Sequence, residues 1–362
     1  MKKRLVAIAV AGCLAAPLVH AQTANVAIYG RMNVGVDFIT APDSSKFGKV
    51  QRVSSNASRI GFRGTESLGN GLNAIFQVES LISADTGGST LASRDTWLGL
   101  QGNWGAVKLG YMMTPYDALQ PIFANPLTGG SVTILATGAL WGQWNMTRAN
   151  GGFGVRTPNS VRYDSPKISG FQGLVQYSTD EAPGDNGWTG TAGLFYDNAG
   201  LQAGFGYEGN HKMRAGGGND QAVTLTGAYK FGAFRPALVY EYLEYENGAG
   251  WQGKLKRHLY GASLTADVGP GKLYGAFLFA DKGKGASGAV AGNIHQGDDT
   301  GAMLYEIAYS YDLSKRTSVY AGYVYIDNKA RATYTFGQNG HGTNVTPGKD
   351  QQGLIIGAIH NF

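Results

Sequence analysis

Apolar and polar residues alternate along much of the chain with a period of two. In the first such window Val26, Ile28, Gly30, Met32, Val34 and Val36 share one face, and Ala27, Tyr29, Arg31, Asn33, Gly35 and Asp37 share the other. Successive side chains of a strand point to opposite faces, so this pattern predicts strands with one apolar and one polar side. The pattern recurs at 171–178, where Phe171, Gly173, Val175 and Tyr177 oppose Gln172 and Gln176. It recurs again where Leu201, Ala203, Phe205 and Tyr207 oppose Gln202, Gly204, Gly206 and Glu208, and where Tyr305, Ile307, Tyr309 and Tyr311 oppose Glu306, Ala308 and Ser310. None of these windows has the 3.6-residue period of a helix.

Tight and long connections alternate between the strands. Short turns are expected at Leu68-Gly69-Asn70-Gly71, Gly102-Asn103-Trp104-Gly105, Asn198-Ala199-Gly200, Gly232-Ala233, Gly269-Pro270-Gly271 and Ser314-Lys315. Long polar links are expected near 40–57, 83–93, 112–158, 179–187, 210–221, 246–257, 283–300 and 328–350. Such alternation belongs to antiparallel hairpins with all short turns at one end. Sixteen candidate strands result, the first near 26–37 and the last near 352–362. Tyrosines gather at strand ends, as in Tyr240-Glu241-Tyr242 and Tyr320-Ala321-Gly322-Tyr323-Val324-Tyr325. Rings at both interfaces of a membrane barrel account for them. A soluble β-sandwich with an aromatic core competes with this reading, but sixteen strands with a lipid-compatible face favour a 16-stranded antiparallel transmembrane β-barrel, all-β in class.

Residues 1–21 read as an export signal. Lys2, Lys3 and Arg4 precede the apolar stretch Leu5 to Leu18, and Val19-His20-Ala21 offers small residues at the cleavage positions. A membrane anchor is disfavoured by the short stretch and by Pro17. Val10-Ala11-Gly12-Cys13 resembles a lipobox, yet cleavage before Cys13 would leave a 12-residue signal and an apolar remnant. Two segments follow: a signal at 1–21 and a barrel at 22–362. After Ala21 no run reaches the ~18 apolar residues of a membrane helix, which leaves a barrel possible because its strands alternate.

Composition then sharpens the picture. The chain has 362 residues, 56 of them Gly, with 20 Tyr, one Cys, 30 Lys+Arg against 25 Asp+Glu, and a mean hydropathy of −0.17. So much glycine, about twice the ordinary share and without a collagen period, argues against a mainly helical protein. Its apolar and aromatic content excludes disorder, and one Cys excludes a disulfide framework. The net charge of +5 invites a nucleic-acid reading. Removal of Lys2, Lys3 and Arg4 leaves 27 basic against 25 acidic residues, a net +2 over 341 residues, too little for a nucleic-acid partner.

Several motifs carry a family resemblance. Ser58-Arg59-Ile60-Gly61-Phe62-Arg63-Gly64-Thr65-Glu66 with Leu68-Gly69-Asn70-Gly71-Leu72 resembles the trimeric Gram-negative porins of neisserial and betaproteobacterial type. Trp97-Leu98-Gly99-Leu100, Gly105-Ala106-Val107-Lys108-Leu109-Gly110, Asn159-Ser160-Val161-Arg162-Tyr163 and the terminal Gly357-Ala358-Ile359-His360-Asn361-Phe362 extend the match over the whole chain. The resemblance implies a homotrimer in the bacterial outer membrane, in contact with its lipids and lipopolysaccharide. It also implies a third long loop folded into the lumen as a constriction.

A water-filled pore selects by size and by the charges at its narrowest ring. Strand parity sends Ile60 and Phe62 outward and Arg59 and Arg63 inward, and Arg31 is inward by the same test. By resemblance, Arg59, Arg94 and Arg156 fall where anion-preferring porins carry a basic wall cluster, and Glu79 matches an acidic position of that ring. Each arginine taken singly is also readable as a structural partner of a wall carboxylate. The presumed constriction loop, Met112 to Gly152, has only Asp117 and Arg148 as charged residues. Many cation-preferring porins set an acidic loop against the basic wall; here that counter-charge is thin, and weak to moderate anion preference is expected. The loop's Tyr116, Pro121, Phe123, Trp141 and Trp144 either form an apolar rim for organic anions or pin the loop to the wall.

Other chemistry finds little support. Gly204-x-Gly206-x-x-Gly209 spells a dinucleotide fingerprint but sits on an alternating strand with no helix after it. The six histidines lack metal-ligand spacing, and no Gly-x-Ser-x-Gly elbow occurs. No cofactor, metal or catalytic residue is called for. The expected function is passive diffusion of ions and small hydrophilic solutes. The alternative is an outer-membrane barrel enzyme or adhesin, with activity and no conductance.

Overall fold

The computed structural model describes residues 25–40, 49–128, 133–135, 137–142, 146–181, 187–336 and 346–362; the expected signal at 1–21 lies outside them. Sixteen antiparallel strands follow one another around a closed sheet. They are β1 (Asn25–Thr40), a broken β2 (Lys49–Ser55 and Arg59–Gly69), β3 (Leu72–Leu81), β4 (Thr96–Gly102), β5 (Gly105–Met112), β6 (Thr157–Asp164), β7 (Phe171–Thr179) and β8 (Trp188–Asn198). The circuit continues through β9 (Leu201–His211), β10 (Asn219–Tyr229), β11 (Phe234–Gly248), β12 (Trp251–Val268), β13 (Gly271–Ala280), β14 (Ala302–Asp312), β15 (Thr317–Asn328) and β16 (Gln351–Asn361). β16 returns to β1 in register from Arg31↔Asn361 to Thr40↔Gln352, and Gly30 and Phe362 exchange backbone hydrogen bonds of 2.9 and 3.1 Å at the seam. Closure leaves no sheet edge, which is what a strand structure needs in lipid.

The parity read from sequence holds. Ile28, Leu98, Leu238 and Ile307 are more than half exposed on the outer face, while Glu306, Ala308 and Ser310 are buried inside. Two loop expectations fail. The segment 246–257 is no loop: β11 runs to Gly248 and β12 resumes at Trp251. Its polar residues still alternate, and Glu244↔Lys256 and Glu246↔Lys254 set opposite charges side by side across the hairpin. Likewise Lys49–Ser55, within the expected link 40–57, pairs with the outer half of β1.

The interior is not polar throughout. On β6 to β8 the inward positions are mostly polar, with Ser160, Gln176, Ser178, Thr189 and Thr191 beside Leu174 and Phe195; on β11 to β16 they include Val239, Leu259, Leu278, Leu304, Val324 and Ile355. That apolar half is covered. Leu119, Phe123, Leu135, Leu140 and Trp141, from the long segment between β5 and β6, pack against it and are fully buried. Glycines make the seat: a Cβ at Gly204 or Gly206 would stand 2.2 or 2.6 Å from Leu119, and one at Gly322 would stand 2.4 Å from Leu135. The spelling Gly204-x-Gly206 is thus a bare backbone patch under a leucine.

Gly204→Val should therefore unseat Leu119 and cost about 1–3 kcal/mol, the usual penalty of overpacking. A lowered guanidinium midpoint for detergent-solubilised protein is the expected result. Gly227→Ala, whose added carbon meets only the Gln202 carbonyl at 3.8 Å, should leave the midpoint unchanged.

Candidate functional site

The break in β2 begins the site. Ala57 takes a left-handed φ of 51°, and the strand is interrupted for three residues. Asn33 of β1 repairs it, its N–H donating to Ser58 Oγ at 2.9 Å and its carbonyl accepting from Asn56 N at 2.8 Å. Arg59 is the first residue after the break and lies directly across from Arg31. Like charges so paired repel, so a counter-charge must stand near.

Glu79 supplies it. Arg59 Nε lies 3.5 Å from its Oε2, Tyr29 Oη donates to the same oxygen at 3.0 Å, and Arg94 Nε donates to Oε1. The Arg94 backbone N–H also bonds the Glu79 carbonyl at 3.0 Å, which folds the connection after β3 back over the lumen wall. Arg156 Nε donates to Asp95 Oδ1 at 2.5 Å, and Arg31 Nε to Asn361 Oδ1 at 2.9 Å. Burial and the neighbouring Arg156 and Arg59 guanidiniums push the Arg94 pKa down, although an arginine stays charged throughout the physiological range. Four guanidiniums thus share two carboxylates.

The loop between β5 and β6 is held on the far side by wall acids. Glu208 Oε2 accepts from Thr114 Oγ1 at 2.9 Å and from Gly154 N at 3.2 Å, closing both ends of the loop on one carboxylate. Glu241 Oε1 accepts from Tyr116 Oη at 2.5 Å and from Gly142 N at 2.8 Å. Arg257 bonds Glu241 and, at 2.6 Å, the Leu140 carbonyl. Glu306 accepts from Asn125, and Thr128 O accepts from Asn33 Nδ2 at 2.9 Å. Glu208, Glu241 and Glu306 are buried under the loop, whereas Arg59, Arg94 and Arg156 keep between 13% and 23% of their side chains exposed.

The structure brings Arg31, Arg59, Arg94, Arg156 and Glu79 together. Arg63 stands apart, its guanidinium 5.1 Å from the Tyr29 ring centroid. Asp117, expected as a lumen charge, is instead buried beside Gln120, which donates to its Oδ1. Burial, helped by Asp95 and Glu208 against the pull of Arg156, holds its carboxyl well above the usual range, which weakens it as a counter-charge. Tyr116 and Trp141 form no exposed rim: both are buried, with Trp141 edge-on to Phe123 at 5.8 Å, and they pin the loop. Trp144 lies outside the described residues. Arg148 donates to Thr189 Oγ1 at 2.9 Å. Sequence reasoning missed Asp95, Tyr29 and the clamp acids. Glu241 carried a signal, a lone acid at an inward position between Val239 and Leu243.

Comparison with known proteins gives a consistent result. A family model described as Gram-negative porin matches residues 6–331. Outer membrane porin protein 32 of Delftia acidovorans is 27% identical over the full length of both chains. The solved anion-selective porin from Comamonas acidovorans superposes with a TM-score of 0.80 at 24% identity, covering 94% of this chain and all of that one. The trimer form of OmpT from Vibrio cholerae superposes at 0.67 with 17% identity, over 94% of this chain and all of that one.

Asp117→Asn should stabilise the protein at neutral pH. A carboxyl whose folded pKa is raised contributes least penalty below its unfolded value near ~4 and destabilises increasingly as pH climbs through the folded value. The wild-type chain should therefore lose unfolding midpoint relative to the variant as pH rises above the unfolded value near ~4, with the gap smallest at the acid end.

Proposed function

Because the chain belongs to the Gram-negative porin family, and so is an outer-membrane channel protein, we propose that its arginine cluster is a constriction preferring small anions. One observation carries the reading. Among the described residues Arg31, Arg59, Arg94 and Arg156 gather around Glu79 and Asp95, while the acids of the facing wall are covered by the loop. Low-dielectric walls concentrate the field of such an excess into the lumen. A guanidinium's planar fork also suits carboxylate and phosphate oxygens as transient partners. The solutes proposed are inorganic anions and small organic carboxylates moving by passive diffusion, and no catalytic role is proposed. Anion selectivity in the related Comamonas acidovorans channel supports the assignment. Residues 1–21 are proposed to be a signal removed on export.

The assembly proposed is a homotrimer. Among the described residues the exposed tyrosines all lie on β6 to β15, from Tyr163 to Tyr323. The outer faces of β16, β1, β2 and β4 present Leu354, Ile356, Val26, Ile28, Val36, Phe62 and Leu98 instead. Tyrosine anchors a face to the lipid interface, so an apolar face without it suits contact with another copy. A trimer form is described for the Vibrio cholerae relative. The remaining circumference faces outer-membrane lipid and lipopolysaccharide.

Reversal potentials across a planar bilayer in a KCl gradient test the reading. Chloride preference is expected, with conductance appearing in groups of three steps; potassium preference would overturn the assignment, and hydrolytic activity without conductance would favour a barrel enzyme. Arg94→Gln with Arg156→Gln should cut the chloride-to-potassium permeability ratio by about two- to fivefold near 0.1 M salt, where the screening length is ~10 Å, and much less at 1 M, where it is ~3 Å.

A further inference from the structure

Four stretches of chain meet at the long-loop end of the barrel and leave a hollow of about 460 Å³ between them. Met146 and Asn150 come from the return arm of the loop between β5 and β6, and Arg214 and Ala215 from the link between β9 and β10. Trp251 stands at the turn from β11 to β12. Val290 belongs to a small finger, Val290–Ala291 paired with Ile294–His295, in the link between β13 and β14. The walls rest on a solid base. Phe153, Leu243, Tyr245 and Leu255 are fully buried and pack with Trp251 and Ala291, and Tyr245 Oη donates to the Gly151 carbonyl at 2.7 Å. Long loops mark this end as extracellular, and the volume falls in the ~300–1,000 Å³ range of small-molecule pockets.

Arg214 gives the hollow its chemistry. Its side chain is only 6% exposed, and its guanidinium stands 5.2 Å from the Tyr245 ring centroid and 5.6 Å from that of Trp251. Nε and Nη2 donate to the two Asp220 oxygens at 2.6 and 2.8 Å, and Nη2 also donates to the Asn247 carbonyl at 2.7 Å. That uses three of the five N–H donors of a guanidinium. Nη1, with the other two, has no partner among the described residues and is not sealed away from solvent. A buried donor left unpaired is costly, so Nη1 calls for an acceptor from outside the chain. The Asn150 side chain likewise makes no hydrogen bond among the described residues, and its amide both donates and accepts. Among the described lining residues Arg214 is the one charged side chain, and Asp220 already neutralises it. A carboxylate solute would only accept, would leave the Asn150 carbonyl unmet and would stand near Asp220. A hydroxyl donates and accepts at once and brings no charge. The remaining walls, with Ala149, Ala215, Ala249 and Val290 beside Trp251, are small and apolar and suit the C–H face of a saturated ring.

We propose that this hollow is an entrance site for an uncharged polyhydroxylated ring, a neutral monosaccharide in class, with hydroxyls on Arg214 Nη1 and Asn150 and a C–H face on the alanines and Trp251. The site stands apart from the arginine cluster and makes no use of ion selectivity. Its test is saturation-transfer NMR on the full-length, detergent-purified protein, with methyl glucoside and glucuronate in separate titrations. Saturable transfer to methyl glucoside is expected, and glucuronate, the same ring with a carboxylate, should bind about threefold or more weakly. Arg214→Lys keeps a cation for Asp220 but removes Nη1, and should lower glucoside affinity about tenfold, as for a hydrogen bond to a charged group. Ala215→Leu fills the hollow while leaving Arg214 and its partners in place, and should lower the affinity to a similar degree even if the lysine variant folds poorly. The double variant Arg94→Gln with Arg156→Gln should bind the glucoside as the wild type does. Absence of saturable transfer, glucuronate binding as tight as the glucoside, full retention by Ala215→Leu, or loss of binding in the double variant would each overturn the proposal. Potassium preference of the wild-type channel would count against the anion-preferring constriction alone, with glucoside binding still expected.

Discussion

Everything at the lumen depends on how one long loop is held against the wall. Three buried carboxylates, Glu208, Glu241 and Glu306, take hydrogen bonds from the loop's ends, its middle and its turn. The Arg257–Glu241 pair is fully buried, and such pairs are weak sources of net stability because desolvation offsets their attraction. Their value here is positional. An apolar seat alone would accept the loop in several registers, whereas Glu241 accepts only where Tyr116 and Gly142 converge.

That clamp also sets which charges are left exposed in the lumen. The chain beyond residue 21 is close to neutral, so an excess of arginine at one level requires acids elsewhere. They are present, but under the loop. Asp117, which stands on the loop itself, is buried, and its carboxyl is held well above the usual range. Among the described residues the arginine wall has Glu79 and Asp95 beside its four guanidiniums, with Glu79 standing next to the Arg31–Arg59 pair.

Much of this was legible in the residues. Period two gave the strands, the turn chemistry gave their number, and parity on β1 and β2 aimed Arg31 and Arg59 inward. What escaped has a common cause. Alternation reports a contrast between faces, and it fades where both faces are apolar. Ile355 and Ile356 are adjacent, one buried under the loop and one exposed outside. The hairpin of β11 and β12 failed for the converse reason, since its residues are polar on a face that meets water above the lipid. Asp117 was placed by chemistry without knowing which side of the loop met the wall. Glycine, conspicuous from the start, is explained only by the packed structure: Gly204, Gly206 and Gly322 are where loop side chains rest on bare strands.

The break in β2 has a mechanical consequence. A continuous strand would spread any strain at Arg59 along some fifteen residues of ladder. Here the backbone of Asn33 bonds both halves, as does that of Ile82, and the Asn33 side chain holds the loop at Thr128 and receives Tyr320 Oη at 2.8 Å. The basic wall and the covering loop therefore share a joint, and a displacement of one reaches the other through Asn33, backbone on one side and side chain on the other.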